Sequence, residues 1–193
     1  MEEVIDGLKN RWNQIVKFSL FIFGIVAVLI TAPPVENFNG NVIRFLIAVI
    51  IAFFLIPLFL YKQKKYFRKW LFFSVLMFIL ACLSLIFYNI SFSKYVINYY
   101  GNHQIVIGRT FSDSGLIKIE KLNKEDNQTY QDGSPEHNKT LLKYAIGNAE
   151  EFWDYHEINN NKILLVTLFY LSISFITILL LCITQTVQIL YSK

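Results

Sequence analysis

The stretch Ile163–Ile183, ILLVTLFYLSISFITILLLCI, decides the fold. It holds no charged residue over a length that matches the roughly 20 residues a helix needs to cross a bilayer. Three more runs approach the same length: about Ile15 to Ala32 and Val42 to Tyr61, each with one cation near its start (Lys17, Arg44), and Trp70 to Tyr88. Across the 193 residues, 54% are hydrophobic and only 17% charged, with a mean hydropathy of +0.42. A soluble domain carries about one-quarter charged residues. Disordered, coiled-coil and disulfide-scaffold classes are excluded on the same grounds. The expectation is an all-α membrane protein: four transmembrane helices, with a small α+β extracytoplasmic domain between helices three and four.

Four segments follow. Residues 1–14 form an amphipathic N-terminal helix, residues 15–90 three membrane helices, residues 91–162 the outer domain, and residues 163–193 the fourth helix and a cytoplasmic tail. Pro33-Pro34 stops the first span, because proline lacks the backbone donor and restricts its predecessor. Proline after Ala32 also argues against a cleaved signal peptide. Pro57 predicts a kink near Phe53 in the second span. In the arm, Val4, Ile5, Leu8, Trp12, Ile15 and Val16 recur at helical spacing, either as an interfacial anchor or as a docking helix for a cytoplasmic partner.

Charge sets the orientation. Lys62, Lys64, Lys65, Arg68 and Lys69 crowd the link between spans two and three with no acid among them, so that link is expected inside. The link between spans one and two carries only Glu36 and lies outside. Both termini are then cytoplasmic, the outer domain lies beyond a plasma (inner) membrane, and its eight basic and ten acidic residues leave a net of −2. The overall charge of +4 needs no nucleic acid to explain it, and no duplex nucleic acid is expected as a partner. The five clustered cations fix topology and touch anionic lipid; an anionic signal such as an oligonucleotide is the sharper alternative.

The outer segment is polar and rich in turn residues. Tyr95–Tyr100 and Gln104–Ile107 read as two strands around Gly101-Asn102, and Gly108–Gly115 as a turn-rich passage. Leu116–Leu122 fits strand or helix, with helix preferred. Ser134-Pro135-Glu136 starts a helix, with serine as N-cap and proline in the first turn. That helix is expected to run to about Ile146, burying Leu141, Leu142, Ala145 and Ile146, and to end at Gly147-Asn148. Another turn falls at Ala149–Trp153, and Asp154 caps the last helix.

The order Ile107-Gly108-x-Thr110, Leu141-Leu142, Gly147, Phe152-Trp153, Ile158, Asn161 and Tyr170-Leu171 resembles a small module attached to transmembrane helices in prokaryotic conflict systems. The resemblance covers about one-third of the chain. Its members usually carry Thr or Ser after the tryptophan, where this chain has Asp154; all three residues cap helices. The resemblance implies a membrane effector in anti-phage defence.

Chemistry-bearing residues are sparse. His103, His137 and His156 are scattered, and a metal site needs clustered ligands. Ser112, Asp113 and Ser114 have no positioned base and read as turn residues. Phe152 and Trp153 read as domain core with Leu141 and Leu142. Cys82 and Cys182 lie in apolar runs, where they act as small hydrophobes. No catalytic residue, metal or cofactor is expected, and the chain is read as a non-enzyme. Asn127-Gln-Thr and Asn138-Lys-Thr match the glycosylation pattern.

The fourth span carries a polar stripe. Thr167, Tyr170, Ser174, Thr177, Thr184, Gln185 and Gln188 project within an arc of about 100° when each residue turns the helix by about 100°. Such a stripe calls for a cover. Packing against another helix is one, with span three offering Ser74, Ala81, Ser84 and Ser91. A pore shared by a homo-oligomer is the other, with Tyr170 or Leu181 as a constriction. The spans hold no intramembrane carboxylate or histidine of the kind pumps use. The first reading is an oligomeric effector that forms or gates a pore under control of a cytoplasmic regulator. The alternative is a non-conducting membrane subunit or immunity-type protein whose outer domain binds a partner.

Overall fold

The computed structural model describes residues 32–35, 66–99, 103–126, 130 and 134–191. The N-terminal arm, the first two spans with the Pro57 kink, the Gly101-Asn102 turn, Asn127, and Lys62, Lys64 and Lys65 lie outside the described residues. The described elements are α1 (Phe67–Tyr95), β1 (Val96–Asn98), β2 (Gln104–Val106), α2 (Asp113–Asp126), α3 (Pro135–Tyr144), a 3₁₀ turn (Ala149–Glu151) and α4 (Tyr155–Tyr191). The chain is mostly helical, with one small sheet. It divides into two compact units. Among the described residues, one takes 66–85 and 170–191; the other takes 86–99, 103–126, 130 and 134–169.

Helices α1 and α4 are long and apolar enough to cross a membrane. In their most apolar stretches only 28% and 33% of residues are buried, which separates them from the enclosed core helix of a soluble protein. Helix α1 shows why. Its buried residues are Trp70, Ser74, Met77, Ala81, Ser84 and Tyr88. These alternate at spacings of four and three, a heptad seam. Its exposed residues include Leu71, Phe72, Val75, Phe78, Ile79, Leu83, Ile86, Phe87 and Ile90. Ser74 and Ser84 point inward, and Phe72, Phe78 and Phe87 outward. In water that surface far exceeds any ordinary apolar patch; against hydrocarbon it costs nothing.

In the first unit, Trp70 and Met77 of α1 cluster with Ile178, Cys182 and Ile189 of α4, supported by Leu76, Leu80, Phe175 and Leu179. Ser74 bonds its own helix, donating to the Trp70 carbonyl at 2.9 Å, and its oxygen lies 3.5 Å from the Thr186 hydroxyl. Helix α1 continues seven residues past the expected end at Tyr88. Phe92 packs on Tyr88 at 5.7 Å, and Phe169 of α4 at 5.8 Å, so side-chain packing extends the helix beyond its apolar run.

The second unit builds its core from Ile107, Ile119, Tyr130, Leu141, Leu142, Ala145, Ala149, Phe152, Trp153 and Ile158. β1 and β2 pair antiparallel, with Val96 opposite Val106 and Asn98 opposite Gln104. α3 begins as its sequence predicts, with the Ser134 hydroxyl accepting from the His137 amide and Pro135 in the first turn.

Two local expectations are corrected. Ser112-Asp113-Ser114 starts a helix rather than a turn. The Ser112 hydroxyl accepts from the Gly115 amide at 3.0 Å, so Ser112 is the N-cap of α2. α3 ends at Tyr144, and Ile146 is not buried. Ile146 is 86% exposed and left-handed, with φ of 52°. The turn that closes α3 needs left-handed residues to satisfy the last carbonyls: the Gly147 amide, at φ of 84°, donates to Leu142 O at 2.8 Å.

Candidate functional site

Helix α4 is one continuous element of 37 residues. At a rise of about 1.5 Å per residue it is some 55 Å long, well beyond a hydrocarbon core of about 30 Å. Its first turns belong to the small domain. The Asp154 carboxylate accepts from the His156 and Glu157 amides at 2.7 and 3.2 Å and caps the helix, as read from the sequence. Ile158 is in the domain core. Asn161, buried one turn later, donates its side-chain amide to the Ile107 carbonyl at 2.9 Å.

The segment before α4 is clamped to the segment before α2. The Ser112 amide donates to Phe152 O at 2.9 Å, the Asp154 amide donates to Thr110 O at 3.1 Å, and Phe111 bridges to Trp153. Their rings lie 5.6 Å apart. At Gly115 a Cβ would fall 2.1 Å from the Phe152 carbonyl oxygen, and at Gly108 it would fall 2.9 Å from Trp153 Cβ. The two backbones therefore touch where only glycine fits. Ile107, Gly108, Thr110, Leu141, Leu142, Gly147, Phe152, Trp153, Ile158 and Asn161 thus all belong to one small fold. Tyr170 and Leu171 fall in the other unit.

The polar stripe lies further along α4. Ser174 and Gln185 are buried, while Thr167, Tyr170, Thr177, Leu181 and Thr184 are half-buried. The side chain of Gln188 lies outside the described residues. Ser174, Thr177 and Thr184 each donate to the carbonyl four residues back, on Tyr170, Ile173 and Leu180, at 2.8 Å. A hydroxyl bonded in this way has satisfied its donor within its own helix. These three hydroxyls therefore need no cover to rescue their donors, and what they offer a neighbour or water is oxygen lone pairs.

The cross-helix approach uses a residue outside the stripe. Thr186 faces Ser74, and Ser172 is fully buried. By the 100° step both fall across the helix from the stripe's centre. The hydroxyl pattern singled out the populated arc and passed over these two. Ser74, Ala81 and Ser84 are buried as span three's small-residue face predicts, and Ser91 is half-buried.

Of the basic cluster, Arg68 and Lys69 are exposed in the first turn of α1, with Lys69 Nζ 5.5 Å from the Tyr66 ring centre. Cations at a helix N-terminus oppose its dipole, so α1 gains nothing from them. His103 and His156 are exposed, and His137 sets its ring against Tyr130 at 5.3 Å. Among the described residues no three potential metal ligands come together. Asn138 is buried, which makes it a poor glycan acceptor in the folded chain.

One polar cluster had no signal in the sequence. The Asp126 carboxylate accepts the hydroxyls of Tyr144 at 2.6 Å and Tyr130 at 2.7 Å, and the Tyr130 amide donates to Asn123 Oδ1 at 2.9 Å. The two phenols hold the Asp126 carboxyl below its ordinary value, Tyr144 first. In return the Asp126 bond, aided by burial, pushes Tyr130 up to about 12. The three residues come from the end of α2, a loop and the end of α3.

No family model matches the chain, and no curated protein or solved structure is similar to it.

Proposed function

We propose that this chain is a non-enzymatic membrane effector with four spans and cytoplasmic termini, whose last helix forms or gates a permeation path in a homo-oligomer. The observation that carries the reading is the stripe on α4. Tyr170, Thr177, Leu181 and Thr184 stay half-exposed within one chain, on a helix with no charged residue from Ile163 to Tyr191. A ring of hydroxyls and amides wets a path without imposing charge, and Tyr170 or Leu181 supplies a constriction that gates by dewetting. The resemblance to conflict-system modules favours a role in anti-phage defence; of the residues that carry it, Ile107, Leu141, Leu142, Phe152, Trp153 and Ile158 pack in one core. Arg68 and Lys69, with Lys62, Lys64 and Lys65, offer an anionic ligand or lipid headgroup a cytoplasmic contact through which a regulator acts.

The test is membrane potential, read with a voltage dye in cells induced to express the chain beside its Thr177→Leu variant. Depolarisation by the parent, relieved in the variant, supports the path; identical traces count against it. A second reading is a non-conducting bundle subunit whose outer domain binds a partner. The burial of Ser174 and Gln185 within a single chain favours it. The mass of the detergent-solubilised particle separates the two, because the first requires an oligomer.

A further inference from the structure

We propose that Ile146 is a lipid anchor, seating the small domain on the headgroup–acyl boundary of the bilayer that α1 and α4 cross. The proposal rests on reading those helices as membrane spans. Ile146 combines two costs that folding would normally avoid. It is a β-branched residue in the left-handed region, where glycine or asparagine is the usual occupant. It also leaves a large aliphatic side chain almost wholly in solvent. The backbone leaves it no alternative. The Ala145 amide donates to Leu141 O at 3.0 Å, the Ile146 amide to Lys143 O at 3.1 Å and the Gly147 amide to Leu142 O at 2.8 Å, which fixes the corner. An ordinary turn residue would relieve both the strain and the exposure, so the isoleucine serves something outside the fold.

The chain itself points to lipid. A Cβ on Gly147 would lie 3.2 Å from the Tyr99 ring and 3.5 Å from Ile105, so the corner packs on the β1–β2 hairpin. Tyr99 is four residues beyond the end of α1, a path of at most about 14 Å. In the last turns of α1 within the same unit, Ile86, Phe87 and Ile90 remain exposed apolar residues, continuous with the outward face of that helix. Lys143 and Lys139, exposed on α3 just before the corner, add the cationic rim that anionic phospholipid favours.

The experiment uses the full chain in phosphatidylglycerol-containing nanodiscs. Cys82 and Cys182 are replaced by alanine, and a nitroxide is placed on one of three single cysteines: Ile146→Cys, Phe87→Cys on the outward face of α1, or Glu150→Cys on the exposed 3₁₀ turn. Accessibility to oxygen against a water-soluble nickel chelate reports depth. The expected result is a lipid-like ratio at Phe87 and Ile146, about fivefold or more above that at Glu150 for burial several ångströms into the interface. A lipid-like Phe87 with a water-like Ile146 overturns the anchor and leaves the spans standing. Water-like ratios at both overturn the spans and the anchor together. Dipolar broadening between labels at Ile146 would seat a second copy there instead, and that also overturns the lipid assignment.

Discussion

Asn161 of the last helix reaches 54 positions back along the chain to hold the carbonyl of Ile107, in a buried bond of 2.9 Å. Replacing Asn161 with leucine keeps the branched shape and removes the donor, leaving a buried carbonyl unpaired at a cost of about 1–3 kcal/mol. The expected outcome is a lower midpoint for the unfolding transition followed by Trp153 emission in a chain whose Trp12 and Trp70 are phenylalanine. Asn161→Ser, which retains a donor, should lose less. Equal losses for the two variants would mean that packing, not the bond, holds this site.

Gly115→Ala reverses a familiar sign. Inside a helix that change normally stabilises by about 1 kcal/mol. Here the new methyl would meet the Phe152 carbonyl oxygen at 2.1 Å, with backbone carbon behind it, and nothing flexible can give way. The prediction is poor folding, read as low yield and loss of the cooperative melt. A melting midpoint at or above the parent's would refute the close approach of these two backbones.

Acid and alkali should each unlock the Asp126 cluster. The folded carboxyl sits below its ordinary 3.8, so its stabilisation is present above that value and is lost as pH falls through the lower folded value. Tyr130 moves the other way. Its folded value is about 12 against an ordinary 10.0, so its contribution is intact below pH 10 and lost as pH rises from 10 towards 12. Glu120 also lies below its ordinary value, through its bond to Lys124, and adds to the acid limb. Melting temperature against pH for the parent and Asp126→Asn isolates the Asp126 share: both limbs should flatten in the variant. Parallel curves would remove the cluster from the pH response.

The pairing of α1 with α4 makes a covalent prediction. Ser74 and Thr186 bring their hydroxyl oxygens to 3.5 Å. In a chain whose Cys82 and Cys182 are alanine, Ser74→Cys with Thr186→Cys should form a disulfide under mild oxidation, whereas Phe78→Cys with Thr186→Cys should not, because Phe78 lies on the outward face of α1. Cross-linking is read as a mobility shift on a non-reducing gel.

What could be read from the sequence was local. Ser134-Pro135 and Asp154 announce helix starts because a cap needs only an oxygen two or three residues ahead of its amide. The seam of α1 shows in the spacing of Ser74, Ala81 and Ser84 because burial on one helix is periodic. The Ser112 cap hid inside a run of turn residues, since the same residue types serve both purposes. Ile146 misled for the opposite reason: it continued an apolar period after the backbone had already turned. Ser74 and Thr186 lie 112 positions apart, and Tyr144 lies 18 beyond Asp126 across a loop, so no local rule pairs them. Whether the half-buried hydroxyls of α4 face water or a neighbouring helix is likewise a property of the assembly, which one chain's periodicity does not encode.

The placement of Ile158 and Asn161 has a consequence for how the molecule is made. Both belong to the helix that also supplies the final apolar run, yet both complete the core of the domain that precedes it. A ribosome therefore delivers strands, α2 and α3 before it delivers the residues that close them. Until those residues emerge, Leu141, Leu142 and Phe152 have no finished interior to enter. The domain and the last helix must mature as a single late event, and a chain truncated before Asp154 would leave the ribosome with its hydrophobic centre still open.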